Sequence, residues 1–322
     1  MKTRQGRFGQ SFLLSFLLVF VAGSAHASLF GWLFPDRNYT RTQYPIVMVG
    51  GFLAFDDILG IDYFYRIPEE LRREGATVYP INLSAFNGSV ERGEQLIRAL
   101  EERKALYGHA RFNIVGHSGG ATTARYVAAM RPDLVASVTS VHGGHKGLAF
   151  ADWVRRTVPE GSALEGIGAS LFNALGSAVE WLAGHKPADY PQDVMAMLRD
   201  YTTEASLAFN QQYPQGVPTS ACGEGAYSVN GVRYYSWAGT GVLTNVLDPL
   251  DYFFVLSASF YRDGTDGLVG RCSSHLGQVI RDNYPMNHVD AMNHMFGLHS
   301  LFSPDPISLY RQHANRLKGA GL

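Results

Sequence analysis

The sequence predicts an α/β protein: a mostly parallel central sheet flanked by helices. Three observations predict it. Short, unbroken apolar runs stop at glycine or a turn, as strands buried on both faces do. Segments of helical period lie between them. The two kinds of segment alternate, as right-handed strand–helix–strand crossovers require. The first run is Tyr44-Pro45-Ile46-Val47-Met48-Val49, which ends at Gly50-Gly51. Helical spacing follows from Tyr65 to Glu74, then a second strand from Thr77 to Leu83. Ser89 to Tyr107 reads as an amphipathic helix, with Leu96, Ala99 and Leu100 on one side and Glu91, Glu94, Glu101 and Glu102 on others. A strand from Arg111 to Val115, a helix from Ala121 to Met130 and a strand from Val135 to Val141 continue the alternation. Farther along, Asn230-Gly231 between apolar runs predicts a hairpin. No internal repeat, low-complexity tract or linker divides the chain, so one domain is expected.

Composition bounds the class. The 322 residues are 46% hydrophobic and carry a formal charge of −1, which excludes a disordered or collagen-like chain. The absence of a basic excess argues against a nucleic-acid binder. Lys2, Arg4 and Arg7 precede an apolar run from Phe12 to Ala22, and Ala25-His26-Ala27 supplies a small-x-small cleavage site. This predicts a signal peptide over 1–27 and a secreted, soluble mature domain over 28–322. The run is far shorter than the ~20 residues that span a bilayer, so no membrane anchor is expected. In an oxidising compartment the two cysteines, Cys222 and Cys272, read as one disulfide. Closing that loop is worth roughly 4 kcal/mol in the chain-entropy model.

Residues 159–183 behave differently. Leu164, Ile167, Leu171, Leu175, Val179 and Leu182 recur at helical spacing, only Glu165 and Glu180 are charged between Leu164 and Leu182, and Phe172 and Trp181 fall outside the stripe. Two readings stand: a buried core helix, or a mobile lid over an apolar site. Pro159, Gly161, Gly184 and Pro187 bracket the segment as hinges would.

The chemistry lies in Gly116-His117-Ser118-Gly119-Gly120, a G-x-S-x-G between a strand and a helix. A serine in that tight turn is forced into strained backbone, with its Oγ raised over a helix N-terminus. Ser118 is therefore the candidate nucleophile. It needs a base, and the base needs an orienting carboxylate, in the chain order Ser, Asp/Glu, His. Two later loops suit these roles: Asp263-Gly264-Thr265-Asp266-Gly267-Leu268-Val269 and Met286-Asn287-His288-Val289-Asp290. His275, His294, His299 and His313 rival His288, and both Asp263 and Asp266 stay open. The expected oxyanion donors are the amide of Gly119 and one from the loop Gly50-Gly51-Phe52, each typically worth about 3 kcal/mol.

Beyond these motifs the chain resembles the secreted triacylglycerol lipases of the Pseudomonas and Burkholderia type. The likeness runs through Phe55-Asp56-Asp57-Ile58-Leu59-Gly60, Val90-Glu91-Arg92-Gly93-Glu94-Gln95-Leu96 and Arg125-Tyr126-Val127-Ala128-Ala129. It continues in Pro218-Thr219-Ser220-Ala221-Cys222-Gly223-Glu224-Gly225 and Arg311-Gln312-His313-Ala314-Asn315-Arg316-Leu317. The resemblance implies a lidded α/β-hydrolase acting on long-chain acylglycerols at an oil–water interface. It implies the triad Ser118, Asp266 and His288, oxyanion amides at Phe52 and Gly119, and a Cys222–Cys272 disulfide. It also implies a structural Ca2+ held by the carboxylates of Asp248 and Asp290 with main-chain carbonyls of His294 and Leu298, a ligand set that suits a hard cation. A membrane-anchored, lipase-specific foldase is implied as a partner during export through the periplasm. The chain departs from the pattern at Gly50-Gly51, where His-Gly is usual, and at Gly119, where a large residue or histidine is usual. Its loop from Asp248 to Asp266 is also shorter. The same triad would serve a polyester depolymerase or short-chain carboxylesterase. An inactive binding protein on this scaffold is the alternative of a different class.

Overall fold

The computed structural model describes residues 37–52, 54, 57–58, 61–158 and 160–322. The expected signal peptide, residues 55, 56, 59 and 60, and Pro159 lie outside the described residues.

The strands are β1 (Ile46–Val49), a short ribbon of β2 (Asp57–Ile58) and β3 (Ile61–Asp62), β4 (Val78–Ile81), β5 (Phe112–His117), β6 (Val135–Val141), β7 (Ser228–Val229), β8 (Val232–Gly239) and β9 (Gln278–Tyr284). The helices are α1 (Ile67–Arg73), α2 (Ser89–Tyr107), α3 (Gly119–Met130), α4 (Ala149–Thr157), α5 (Ala163–Leu182), α6 (Val194–Asp200), α7 (Thr203–Gln212), α8 (Pro249–Ala258), α9 (His294–Gly297) and α10 (Pro306–Gly319). The main sheet runs β4-β1-β5-β6-β8, all parallel, and β9 adds to β8 in the same direction. Within this sheet β7 pairs antiparallel to β8, through Asn230 at φ 52° and Gly231 at φ 75°. Two successive left-handed residues are what the expected hairpin turn demands.

Alternation along the strands sends side chains to both faces. Val47, Val49 and Ile114 pack with Leu96, Leu100 and Val127 of α2 and α3. Ile46, Met48 and Val115 pack on the other face with Ile67 and Leu71 of α1 and Tyr310 and Ala314 of α10. The stripe expected in α2 faces the core, but the helix also buries Arg92 and Gln95. Strand β9 escaped the sequence reading because Gln278-Val279-Ile280-Arg281-Asp282-Asn283-Tyr284 is half-exposed and polar rather than a continuous apolar run. Cys222 and Cys272 are joined, with Cα atoms 4.7 Å apart. Among the described residues no helix is long and apolar enough to cross a membrane.

One buried histidine ties the last helix to the sheet. His313 accepts from Arg316 Nη1 at its Nδ1 (3.1 Å), so its Nε2–H donates to Thr139 Oγ1 (2.7 Å) and the ring is neutral. Burial, reinforced by the Arg316 charge, pushes its pKa down to about 3. An unfolded histidine titrates near 6.5, so between those values the unfolded chain binds a proton that the fold refuses. This contribution to stability is complete above about pH 6.5 and is lost as pH falls toward about 3. His313→Gln is expected to flatten the acid limb by close to one proton, about 1.4 kcal/mol per pH unit. Urea midpoints between pH 4 and 7 would check this; an unchanged slope would mean that His313 is charged in the fold.

Candidate active site

Strand β5 ends in a reversal that only a few residues permit. Ser118 adopts φ 52°, ψ −122° before α3 begins at Gly119. A Cβ on Gly116 would lie 2.3 Å from the Gly120 carbonyl oxygen, and one on Gly120 would lie 2.2 Å from that of Val49. The small residues of the motif are thus required where the turn crosses its own helix and strand β1.

Ser118 Oγ lies 2.8 Å from His288 Nε2, and His288 Nδ1 lies 2.8 Å from Asp266 Oδ2. Oδ1 of Asp266 accepts from the amides of Leu268 (2.9 Å) and Val269 (2.7 Å). The backbone N–H of His288 donates to the Asp266 carbonyl, which locks the two loops together. Burial alone would raise the Asp266 carboxyl, but the neighbouring His288 and His142 hold it well below the usual carboxylate range. Asp263 is exposed and Asp266 is buried, which separates the two aspartates. Three rival histidines have other partners: His275 bonds Gly223 and Asp282, His299 bonds Ser300 and Ser303, and His313 bonds Thr139. The fourth, His294, interacts through charge with Asp248, and its Nδ1 has no hydrogen-bond partner among the described residues.

The loop after β1 lies against the serine. A Cβ on Gly51 would stand 2.7 Å from that of Ser118, so a side chain there would displace one or the other. Arg92 Nη2 donates to the Gly50 carbonyl (2.7 Å) from a buried position. A Cβ on Gly119 would come within 3.0 Å of the Phe52 ring, so the departure at Gly119 opens room for that ring. Tyr63 and His117 connect the parts. The Gly51 N–H donates to the Tyr63 oxygen (3.2 Å), the Tyr63 hydroxyl donates to His117 Nδ1 (2.9 Å), and His117 Nε2–H donates to the His288 carbonyl (2.8 Å). Burial keeps His117 neutral, its pKa well below the ordinary value. Sequence reasoning missed Tyr63, Arg92 and His142; no local pattern marks residues that meet only in the fold.

His142, Asp266 and His288 each bring a potential ligand atom within 4.8 Å of one another. The spacing alone would suit a metal, but Asp266 Oδ2 already accepts from both Nδ1 atoms, so the cluster is a hydrogen-bonded one. A second acidic group lies behind the histidine loop. Asp251 is satisfied by the amides of Thr244 and Asn245 and by Asn287 Nδ2. Asp248 Oδ2 and Asp290 Oδ1 are buried without a hydrogen-bond partner among the described residues. Burial, with Asp251 adding repulsion, raises both carboxyls, Asp290 to about 6.

Helix α5 reaches the same neighbourhood. Ala169 packs into the cluster containing Phe52, Leu148, Met197 and Val269. Glu180 is buried and accepts from Asn82 Nδ2 (2.6 Å) and the Ala85 amide (3.1 Å). Gly161 and Gly184 flank the helix at φ 75° and 80°. Leu164 and Trp181 are 64% and 70% exposed, unlike a core helix. The side chains of Ile167, Leu171, Phe172, Leu175 and Leu182 lie outside those described.

Residues 44–286 match the family model described as the alpha/beta hydrolase fold. A triacylglycerol lipase of Vibrio cholerae is 53% identical over 94% of this chain and 95% of its own length. One from Pseudomonas fragi is 42% identical over 88% of this chain and 98% of its own. Among solved structures, a Bacillus licheniformis lipase shares the fold at TM-score 0.57, with 14% identity over 85% of this chain and 92% of its own. The strand order, the reversal at Ser118 and these extended identities converge: the chain belongs to the α/β-hydrolase family, in the group of the triacylglycerol lipases.

Proposed function

We propose that this protein hydrolyses triacylglycerols through an acyl-enzyme on Ser118. The hydrogen-bonded line Ser118–His288–Asp266, completed across three separate loops, carries the reading. Ser118 Oγ attacks the ester carbonyl carbon as His288 Nε2 takes its proton. Asp266 holds the Nδ1–H tautomer and stabilises the imidazolium. The amides of Phe52 and Gly119 receive the oxyanion. Collapse breaks the bond to the glycerol oxygen, which leaves with the proton from His288. Water, deprotonated by the same histidine, then attacks the acyl carbon, and Ser118 departs reprotonated with release of the fatty acid. The exposed Leu164 and Trp181 favour a lipid over the short, soluble esters of a carboxylesterase. The same apolar exposure would also suit a polyester surface. An intact triad disfavours an inactive binding protein. Secretion and the foldase partner rest on the N-terminal pattern and the family resemblance.

A calcium ion suits the pair of unpartnered buried oxygens on Asp248 and Asp290, with the carbonyls of His294 and Leu298 as further hard donors. Its charge would offset the repulsion among Asp248, Asp251 and Asp290. Asn287, which accepts from the Asp290 amide and donates to Asp251, transmits that order to the adjoining His288. Helix α5 serves as the lid: opening it in water exposes apolar surface at about 25 cal/mol per Å2, a cost that a lipid boundary offsets.

Ser118→Ala should lower kcat on emulsified triglyceride by a factor on the order of 10⁴ or more and abolish labelling by an organophosphonate. Retention of most activity in the folded variant would refute the nucleophile. Chelation should lower Tm by several degrees and added calcium should restore it. A hundredfold excess over Kd stabilises by about 2.7 kcal/mol. Asp248→Asn should blunt that response, and a Tm indifferent to both chelator and calcium would count against the ion. For the lid, a fluorophore on Ser170→Cys should report greater exposure when monomeric ester gives way to droplets, together with a rise in rate. Unchanged emission across that transition would leave α5 a fixed helix.

A further inference from the structure

His142 is a histidine that the reaction as written does not use. It stands at the carboxyl end of β6, fully buried, with φ 52°. Residues with a Cβ seldom adopt that conformation, although histidine does so more readily than most. Its amide donates to the Trp237 carbonyl (3.0 Å), which fixes the backbone to β8. Its Nδ1 lies 2.7 Å from Asp266 Oδ2, the same oxygen that accepts from His288. The two rings stand 6.1 Å apart at 72°, so they approach that oxygen from different directions without stacking. Gly239 leaves space for the ring: a Cβ there would lie 3.0 Å from His142 Cε1. The Nε2 of His142 is buried without a partner among the described residues. A side chain kept in left-handed backbone with one nitrogen unsatisfied makes its one described polar bond to the carboxylate that orients the base. Nothing else in its contacts accounts for a histidine there.

We propose that His142 is a positioning residue for the triad, acting through Asp266. This rests on the reading of Asp266 as the orienting carboxylate. With both nitrogens donating, all four bonds to the carboxylate are in place: two amides on Oδ1 and two imidazoles on Oδ2. The carboxylate then keeps its plane and its charge as His288 gains and loses the serine proton. Without the second donor, Oδ2 has an unsatisfied lone pair at a buried site, and rotation toward another donor draws it off the His288 axis. A displacement of about 1 Å at such a group is enough to cost on the order of 100-fold in rate.

Three variants test this, each measured per mole of folded protein. His142→Gly removes the donor while easing the left-handed backbone, so it folds even where a larger replacement does not. His142→Asn keeps an N–H near the position of Nδ1 and tolerates positive φ. Asp266→Asn controls for the triad itself. Expected are a kcat about 10- to 100-fold lower for His142→Gly with unchanged KM, recovery to within a few-fold of wild type in His142→Asn, and collapse of activity in Asp266→Asn. The proton spectrum should lose one downfield imidazole resonance in His142→Gly and show the other displaced. If His142→Gly keeps kcat within twofold, or His142→Asn is as impaired as His142→Gly, the positioning role is overturned. If Asp266→Asn retains activity, it is the triad assignment that fails, and the role of His142 falls with it.

Discussion

Ser118 is held at φ 52°, and a conformation of that kind persists only where the surroundings leave no alternative. Here they leave none. Strand β5 is fixed on both sides by β1 and β6, and α3 must start at once because Gly120 passes directly over the end of β1. The Ser118 amide donates to the Val141 carbonyl (2.9 Å), so the reversal is also hydrogen-bonded to β6. The sheet therefore supplies the force that keeps Ser118 raised. The two core clusters on its faces supply the free energy that keeps the sheet in place.

The remaining parts of the site sit on loops, which are less rigid than strands and need cross-ties. Tyr63, His117 and the His288 carbonyl form one such tie, running from the loop at Gly51 to the loop of His288. Asp266 forms a second tie: its main-chain carbonyl and its side chain both engage His288, while the side chain also reaches His142 at the end of β6. Both ties are buried, where a hydrogen bond is strong and a missing partner is costly. The histidines that would be pH-sensitive elsewhere are neutral in these positions, as burial dictates for His117 and His142.

Much of this was legible from the residues. The strand–turn–helix context singled out Ser118, which does sit in the reversal between β5 and α3, and the alternation of apolar runs located β1, β5 and β6 to within a few residues. The α2 stripe was legible too, because Leu96 and Leu100 face the core. Residues alone could not choose between Asp263 and Asp266, which sit three apart in one turn-rich loop. The difference lies in burial, which depends on where the loop lands. Arg92 and His142 were opaque for a related reason. A charged residue in an amphipathic helix reads as solvent-facing, and a histidine 124 positions from Asp266 carries no local sign of its partner. Such pairings depend on tertiary placement, while periodicity reports only local structure.

The apolar exposure around the site has a physical continuity of its own. Phe150 and Trp153 on α4 contact Phe253 and Phe260 in and after α8. Arg155, one turn on from these, is paired with Glu165 at the start of α5. The three helices thus form one connected face. Leu256 on α8 is 73% exposed, as are Leu164 (64%) and Trp181 (70%) on α5, and Leu247 just before α8 is 74% exposed. A patch of this extent would be a liability in a protein whose substrates were small and dissolved, since it invites self-association. It is favourable where the substrate is itself a hydrophobic phase, because contact then removes both apolar surfaces from water. Under the proposed function, adsorption to a lipid phase and exposure of the surface around Ser118 would draw on the same burial of apolar side chains.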